Sequence, residues 1–197
     1  NYIVPGLIAV IMMVIAALLT SLTIAREWER GTMEQLIVTP IRVPEVVLGK
    51  LLPYFAIGFI DVALSAAVGI LVFRVPFRGN MALLLGLSLV FLLGALSLGM
   101  LISIKAKSQL VASQVAMVLT FLPSFLLSGF MYDIGNMPGW LQAITYAFPA
   151  RYFVTILKAV FLKGTGLGVL GEEAAFLTIF AVGVTLAANR TFRKNLE

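Results

Sequence analysis

Two of the residue types that carry enzyme chemistry are missing from this sequence. It contains no Cys and no His, which removes thiol nucleophiles, imidazole bases and zinc sites built on either residue. Asp61 lies in the middle of an otherwise apolar stretch. An ionisable group at such depth is costly unless paired or hydrated. It fits a pathway lining or a contact to a cationic substrate. It equally fits a structural hydrogen bond to a neighbouring helix, or protonation in place. Without a second buried acid beside it, acid–base catalysis has few candidates. Gly166, Gly168 and Gly171 spell the GxGxxG pattern, but no strand precedes them and no βαβ unit surrounds them, so they read as loop. No GxxxxGK[ST] phosphate-binding loop occurs. The expectation is a chain that is not an enzyme and holds no metal or cofactor of its own.

The richest chemistry lies between Arg26 and Pro40. Thr32 followed by Gln35 is a capping-box pattern. Glu34 sits in the first turn, where a negative charge suits the helix dipole. Met33, Leu36 and Ile37 share one helical face. Pro40 stops the helix, and Thr39 before it is pushed from helical angles. The pattern predicts a two-turn amphipathic helix over Thr32–Val38, with a fresh helix start at Pro44-Glu45. A solvated turn lying on a membrane fits this pattern. So does a rigid knob, carrying both charge signs and an apolar face, that docks into a partner's groove.

The elements that hold this segment are membrane elements. Of the residues 61% are hydrophobic and 12% charged, against about half and about a quarter in soluble domains. The net charge of +5 belongs at membrane edges rather than on nucleic acid. A bilayer core takes about 20 apolar helical residues. The stretches Ile3–Ala25, Val46–Phe73, Met81–Ile104, Leu110–Met131 and a shorter Glu173–Asn189 meet or approach that length. With Arg26–Lys50 placed in the cytoplasm, one side collects Arg26, Arg30, Arg42, Lys50, Lys105, Lys107, Arg190, Arg193 and Lys194. The other collects Arg74, Arg78, Arg151, Lys158 and Lys163. This bias predicts an outer N-terminus and a cytoplasmic C-terminus. Lys50 is expected to snorkel to the cytoplasmic edge.

Tyr132–Glu172 is the irregular region, broken by Pro138 and Pro149 and rich in aromatic residues. Two short helices, about 139–147 and 150–163, fit it better than a span. A re-entrant or interfacial hairpin on the outer side is expected, since broken backbone at depth must lie against protein or a water-filled cavity. Two helices lying loosely on the surface are the alternative. Ser65 and Gly69, Ala95 and Gly99, and Ser124 and Ser128 have small-xxx-small spacing and predict close helix contacts. Pro123 is positioned to kink the fourth span. Ser113, Gln114, Thr120 and Ser124 there, with Asp61, are the pathway candidates, or else helix-to-helix bonds.

Two motifs resemble one known family. Glu29-Arg30-Gly31-Thr32-Met33-Glu34-Gln35-Leu36, Thr39-Pro40 and Leu48-Gly49-Lys50-Leu51 look like the coupling-helix region of ABC-2 type export permeases. Ser128-Gly129-Phe130, Asn136-Met137-Pro138, Trp140-Leu141, Ile144-Thr145-Tyr146, Pro149, Arg151-Tyr152-Phe153 and Lys163-Gly164 with Leu167 resemble the stretch before that family's last helix. The resemblance implies an all-α, polytopic transmembrane bundle: about five spans here, a cytoplasmic coupling helix and an outer re-entrant hairpin. It also implies that the family's first helix and extracytoplasmic domain are missing from residues 1–197. Glu27, Glu29, Arg30, Gly31, Thr32, Met33, Glu34, Gln35 and Leu36 would couple to an ABC ATPase subunit, which would bind ATP and Mg. Pro138, Trp140, Pro149, Arg151 and Tyr152 would form the hairpin. A second permease copy or paralogue would complete the unit, in a bacterial or archaeal inner membrane, exporting a drug, lipid, polysaccharide or ion. The rival readings are an ion channel or ion-coupled carrier using Asp61, and a membrane anchor or assembly factor.

Overall fold

A computed structural model describes residues 3–32, 43–166 and 168–196. Helix α1 spans Ile3–Arg30, α2 Val43–Leu71, α3 Met81–Ala106 and α4 Gln109–Leu126. A 3₁₀ turn at Ile134–Asn136 leads to the short helices α5, Gly139–Thr145, and α6, Pro149–Lys158. Residues Ala159–Lys163 continue α6 as a π turn, and α7 runs Gly171–Leu196. Among the described residues there is no strand. Helices α1, α2, α3, α4 and α7 are each long and apolar enough to cross a membrane.

The expected spans are all present, with shifted ends. Helix α1 does not stop at Ala25. Its last turn is Glu27–Arg30, because Arg and Glu are good helix formers and nothing there breaks the backbone. The last helix, expected to be short, has 26 residues because its polar end stays helical beyond the apolar run. Helix α5 ends at Thr145 rather than at residue 147, and the close of the second hairpin helix is π-wound.

Helices α1 and α3 form the inner pair. Their close approach depends on small residues. A Cβ added at Gly99 would lie 2.3 Å from the Ala17 carbonyl oxygen. The Thr20 hydroxyl donates across this contact to the Leu96 carbonyl at 2.8 Å. Ser103 Oγ accepts the Ile24 and Ala25 backbone N–H groups at 2.9 and 2.8 Å. Helix α4 lies against α1 along the buried residues Ala112, Ala116, Thr120 and Ser124. Helix α7 packs on α3, where Ser97 and Thr185 hydroxyls meet at 2.8 Å. The outward faces of α2, α4 and α7 carry large exposed apolar side chains, as a lipid-facing surface requires.

Candidate functional site

One end of the bundle holds Arg26, Lys50, Lys105 and Lys107. Here α1 closes on a Schellman motif. Gly31, at φ +69°, donates its N–H to the Trp28 carbonyl, and Thr32 N–H donates to the Glu27 carbonyl at 3.1 Å. Glycine takes this left-handed backbone without a Cβ penalty. Thr32, predicted to cap a following helix, thus completes the cap of the preceding one. Its hydroxyl also bonds the Glu27 carboxylate. Met33, Glu34, Gln35 and Leu36, with the predicted helix to Val38, lie outside the described residues.

The last turn of α1 reaches two neighbours. Glu27 pairs with Lys50 of α2 at 3.0 Å, so Lys50, expected only to snorkel, ties α2 to α1. Glu29 turns toward the α3–α4 junction. Its Oε1 accepts the Gln109 backbone N–H at 2.8 Å and the Ser108 hydroxyl at 3.1 Å. Its Oε2 accepts the Gln109 side-chain amide. Arg26 Nε donates to the Gln109 side-chain oxygen at 3.3 Å. Lys107 Nζ stands 4.5 Å above the Trp28 ring, a cation–π distance. Arg30 is exposed.

The pathway candidates do not form one constellation. Asp61 lines a cleft of about 20 Å³ with Met12, Ala16, Tyr54, Leu92 and Leu96. Thr120 and Ser124 are buried on the α1-facing side of α4, and Thr120 returns its hydroxyl proton to the Ala116 carbonyl. Gln114 is exposed on a different face. Ser124 borders a cavity of about 160 Å³ shared with Met13, Leu98, Leu119, Phe148 and Pro149.

That cavity places the hairpin's apex. Phe148 and Pro149, between α5 and α6, line it beside Met13, ten residues into α1 from Ile3. At a rise of about 1.5 Å per residue, Met13 sits some 15 Å along the helix. The apex therefore dips into the bundle, and the alternative of two loosely surface-lying helices does not describe it. Pro149 opens α6 at a first-turn position where its missing N–H costs nothing. Arg151 clamps the two limbs: it bonds the Thr145 hydroxyl and lies 3.8 Å over the Tyr146 ring. Tyr152 donates its hydroxyl to the Tyr146 carbonyl at 2.8 Å. Phe153 stacks on Phe91 of α3 at 3.9 Å. Trp140 is exposed, and Pro138 precedes α5. Lys158 donates to the Gly129 carbonyl at 2.7 Å. Burial pulls its ammonium below the usual lysine range, and the nearby Asp133 charge pushes back.

Sequence reasoning missed Ser108 and Gln109, and placed Lys107 at this end by its charge without its Trp28 partner. The signal was weak: an α4 start with no acidic residue in its first turn, which asks for a partner from elsewhere. The stripe Ala112, Ala116, Thr120, Ser124, Ser128 is a strict i, i+4 run of small residues, of which Thr120, Ser124 and Ser128 were singled out but not the whole face.

Comparison with known proteins agrees with this architecture. The ABC-2 type transporter family matches residues 1–162. The chain is 46% identical to the "Probable multidrug ABC transporter permease YbhS" of Escherichia coli K12, over 92% of the chain and 48% of that protein. It is 32% identical to the "Probable multidrug ABC transporter permease YbhR" of the same organism, over 99% of the chain and 53% of that protein. It is 26% identical to "ABC transporter G family member 20" of Dictyostelium discoideum, over its full length and 28% of that protein. The chain thus spans about half the length of the bacterial relatives it matches. Membrane-length helices, a dipping hairpin and a family match across most of the chain converge: this chain belongs to the ABC-2 type transporter family, as a transmembrane permease.

Proposed function

We propose that this chain is the membrane-spanning part of an exporter driven by ATP hydrolysis on a separate ABC ATPase subunit, which binds ATP and Mg. The observation that carries this reading is the closed cap of α1 at Gly31–Thr32, tied to α2 through Glu27 and Lys50. It holds both roots of the 33–42 segment at one end of the bundle. Ends held in this way pass a push from a docked ATPase into α1 and α2. In this reading Arg30, Met33, Glu34, Gln35 and Leu36 meet the ATPase, and the basic end with the C-terminus is cytoplasmic, in a bacterial or archaeal inner membrane. Two copies, or this chain and a paralogue, form the transport unit. Ser124 borders the path at the cavity it shares with Phe148 and Pro149, and the hairpin closes its outer exit.

Lipophilic drug-like compounds are the proposed cargo. The multidrug wording in the names of YbhS and YbhR supports this, as does the largely apolar lining of the Ser124 cavity. The ion-carrier reading draws little support from Asp61. Its cleft of about 20 Å³ holds roughly one water molecule, and among the described residues no second acid or base borders it apart from the Tyr54 phenol. The test is co-purification of the full permease with its ATPase. Alanine at Met33, Glu34 and Leu36 together should release the ATPase while the permease still folds. Undiminished co-purification with that variant would overturn the docking assignment.

A further inference from the structure

Helix α4 lacks a cap of its own. Ser108 occupies the cap position in extended backbone but makes no side-chain cap bond. The first turn contains no acidic residue. The first N–H groups of a helix need acceptors, and its positive end favours an anion. Glu29 supplies both from another helix. One carboxylate oxygen takes the Gln109 N–H and the Ser108 hydroxyl, and the other takes the Gln109 side chain. Arg26, one turn back on α1, holds the same glutamine, and Lys107 sits on Trp28 between them.

The two ends of this assembly point to its use. Immediately after Glu29 comes the α1 cap and then the 33–42 segment. At the far end of α4, the Ser128–Gly129–Phe130 turn meets the hairpin, where Lys158 bonds Gly129 and Phe130 stacks edge-on against Phe125 at 5.7 Å. We propose that Glu29 is the joint that turns α4 with the last turn of α1, so that a push on the end of α1 reaches the hairpin end through α4. Glu29 is a positioning residue: it faces α4 and does not dock the ATPase. The proposal rests on the exporter reading, and the experiment separates the two.

The experiment uses the full permease with its ATPase. The chain's lack of Cys allows a single label at Leu122→Cys, exposed on α4, once any Cys elsewhere in the permease is replaced. A bimane probe there is read before and after trapping with ATP and vanadate. Glu29→Ala should keep the ATPase bound yet cut the nucleotide-dependent change about fivefold. Gln109→Ala should act alike, and the double variant should be no worse than either single one. Glu29→Gln, which retains a carbonyl acceptor, should restore much of the response. Amide exchange at Gln109 should rise about tenfold in Glu29→Ala without nucleotide. A cap that only stabilised α4 would change the exchange and leave the nucleotide response intact, and that result overturns the proposal. Release of the ATPase by Glu29→Ala also overturns it, by making Glu29 a docking residue. An unsubstituted permease that holds no ATPase would instead bring down the exporter reading, and the joint with it.

Discussion

Gly99→Ala is the sharpest test of how the inner helix pair is built. The added methyl would sit 2.1 Å from Thr20 Oγ1, 2.3 Å from the Ala17 carbonyl oxygen and 2.9 Å from the Ala17 Cα. The threonine can rotate, but the Ala17 backbone cannot. Close carbon–oxygen contacts lie near 3.3 Å, so from 2.3 Å α1 and α3 must part by about 1 Å. That lengthens the 2.8 Å Thr20–Leu96 bond beyond hydrogen-bond range. Overpacking costs about 1–3 kcal/mol, and an interhelical hydrogen bond in a membrane is worth about 0.6 kcal/mol. Alanine's better helix propensity returns about 1 kcal/mol. The net loss expected is about 1–3 kcal/mol. Equilibrium unfolding of the purified permease in mixed SDS micelles measures it. Gly86→Ala on the same helix is the control: its Cβ meets nothing within 4 Å, so it should be neutral or slightly stabilising. Thr20→Ala should not rescue Gly99→Ala, because the Ala17 oxygen remains. If Gly99→Ala proves as stable as Gly86→Ala, the close crossing of α1 and α3 is wrong.

Gly31→Ala should cost about 1 kcal/mol in the same unfolding assay, because the α1 cap needs φ +69° at that position; unchanged stability would deny the Schellman cap. Breaking the Glu27–Lys50 pair with Lys50→Met should cost no more than about 1 kcal/mol, since both partners are partly solvated; a larger loss would give the pair a role beyond a tie between α1 and α2. Arg151→Met removes the clamp between α5 and α6, so a cysteine placed at Ala147 should react faster with a membrane-impermeant maleimide; an unchanged rate would place the clamp elsewhere.

Much of the architecture was legible because hydrophobic length is a local property. Each span and the proline breaks of the hairpin are written within a few residues of where they act. The ends were less legible. Charged residues Arg26–Arg30 marked a loop by composition, yet helix propensity and the Gly31 cap kept them helical. Composition measures what lipid accepts, and it does not say where the backbone stops winding.

By itself, the sequence determined the class of molecule: too apolar for water, and carrying two motifs of one permease family. The lack of Cys and His could be read directly, because a residue type needs no partner to be absent. Which charged groups meet was decided only by tertiary structure. Glu29 reads as one more acid in a docking motif, and its carboxylate lies on Gln109, 80 residues away in the chain. Thr120 and Ser124 face α1 while Gln114 faces away. The physical reason is that a helix's period sets which residues share a face, but only packing decides what that face meets.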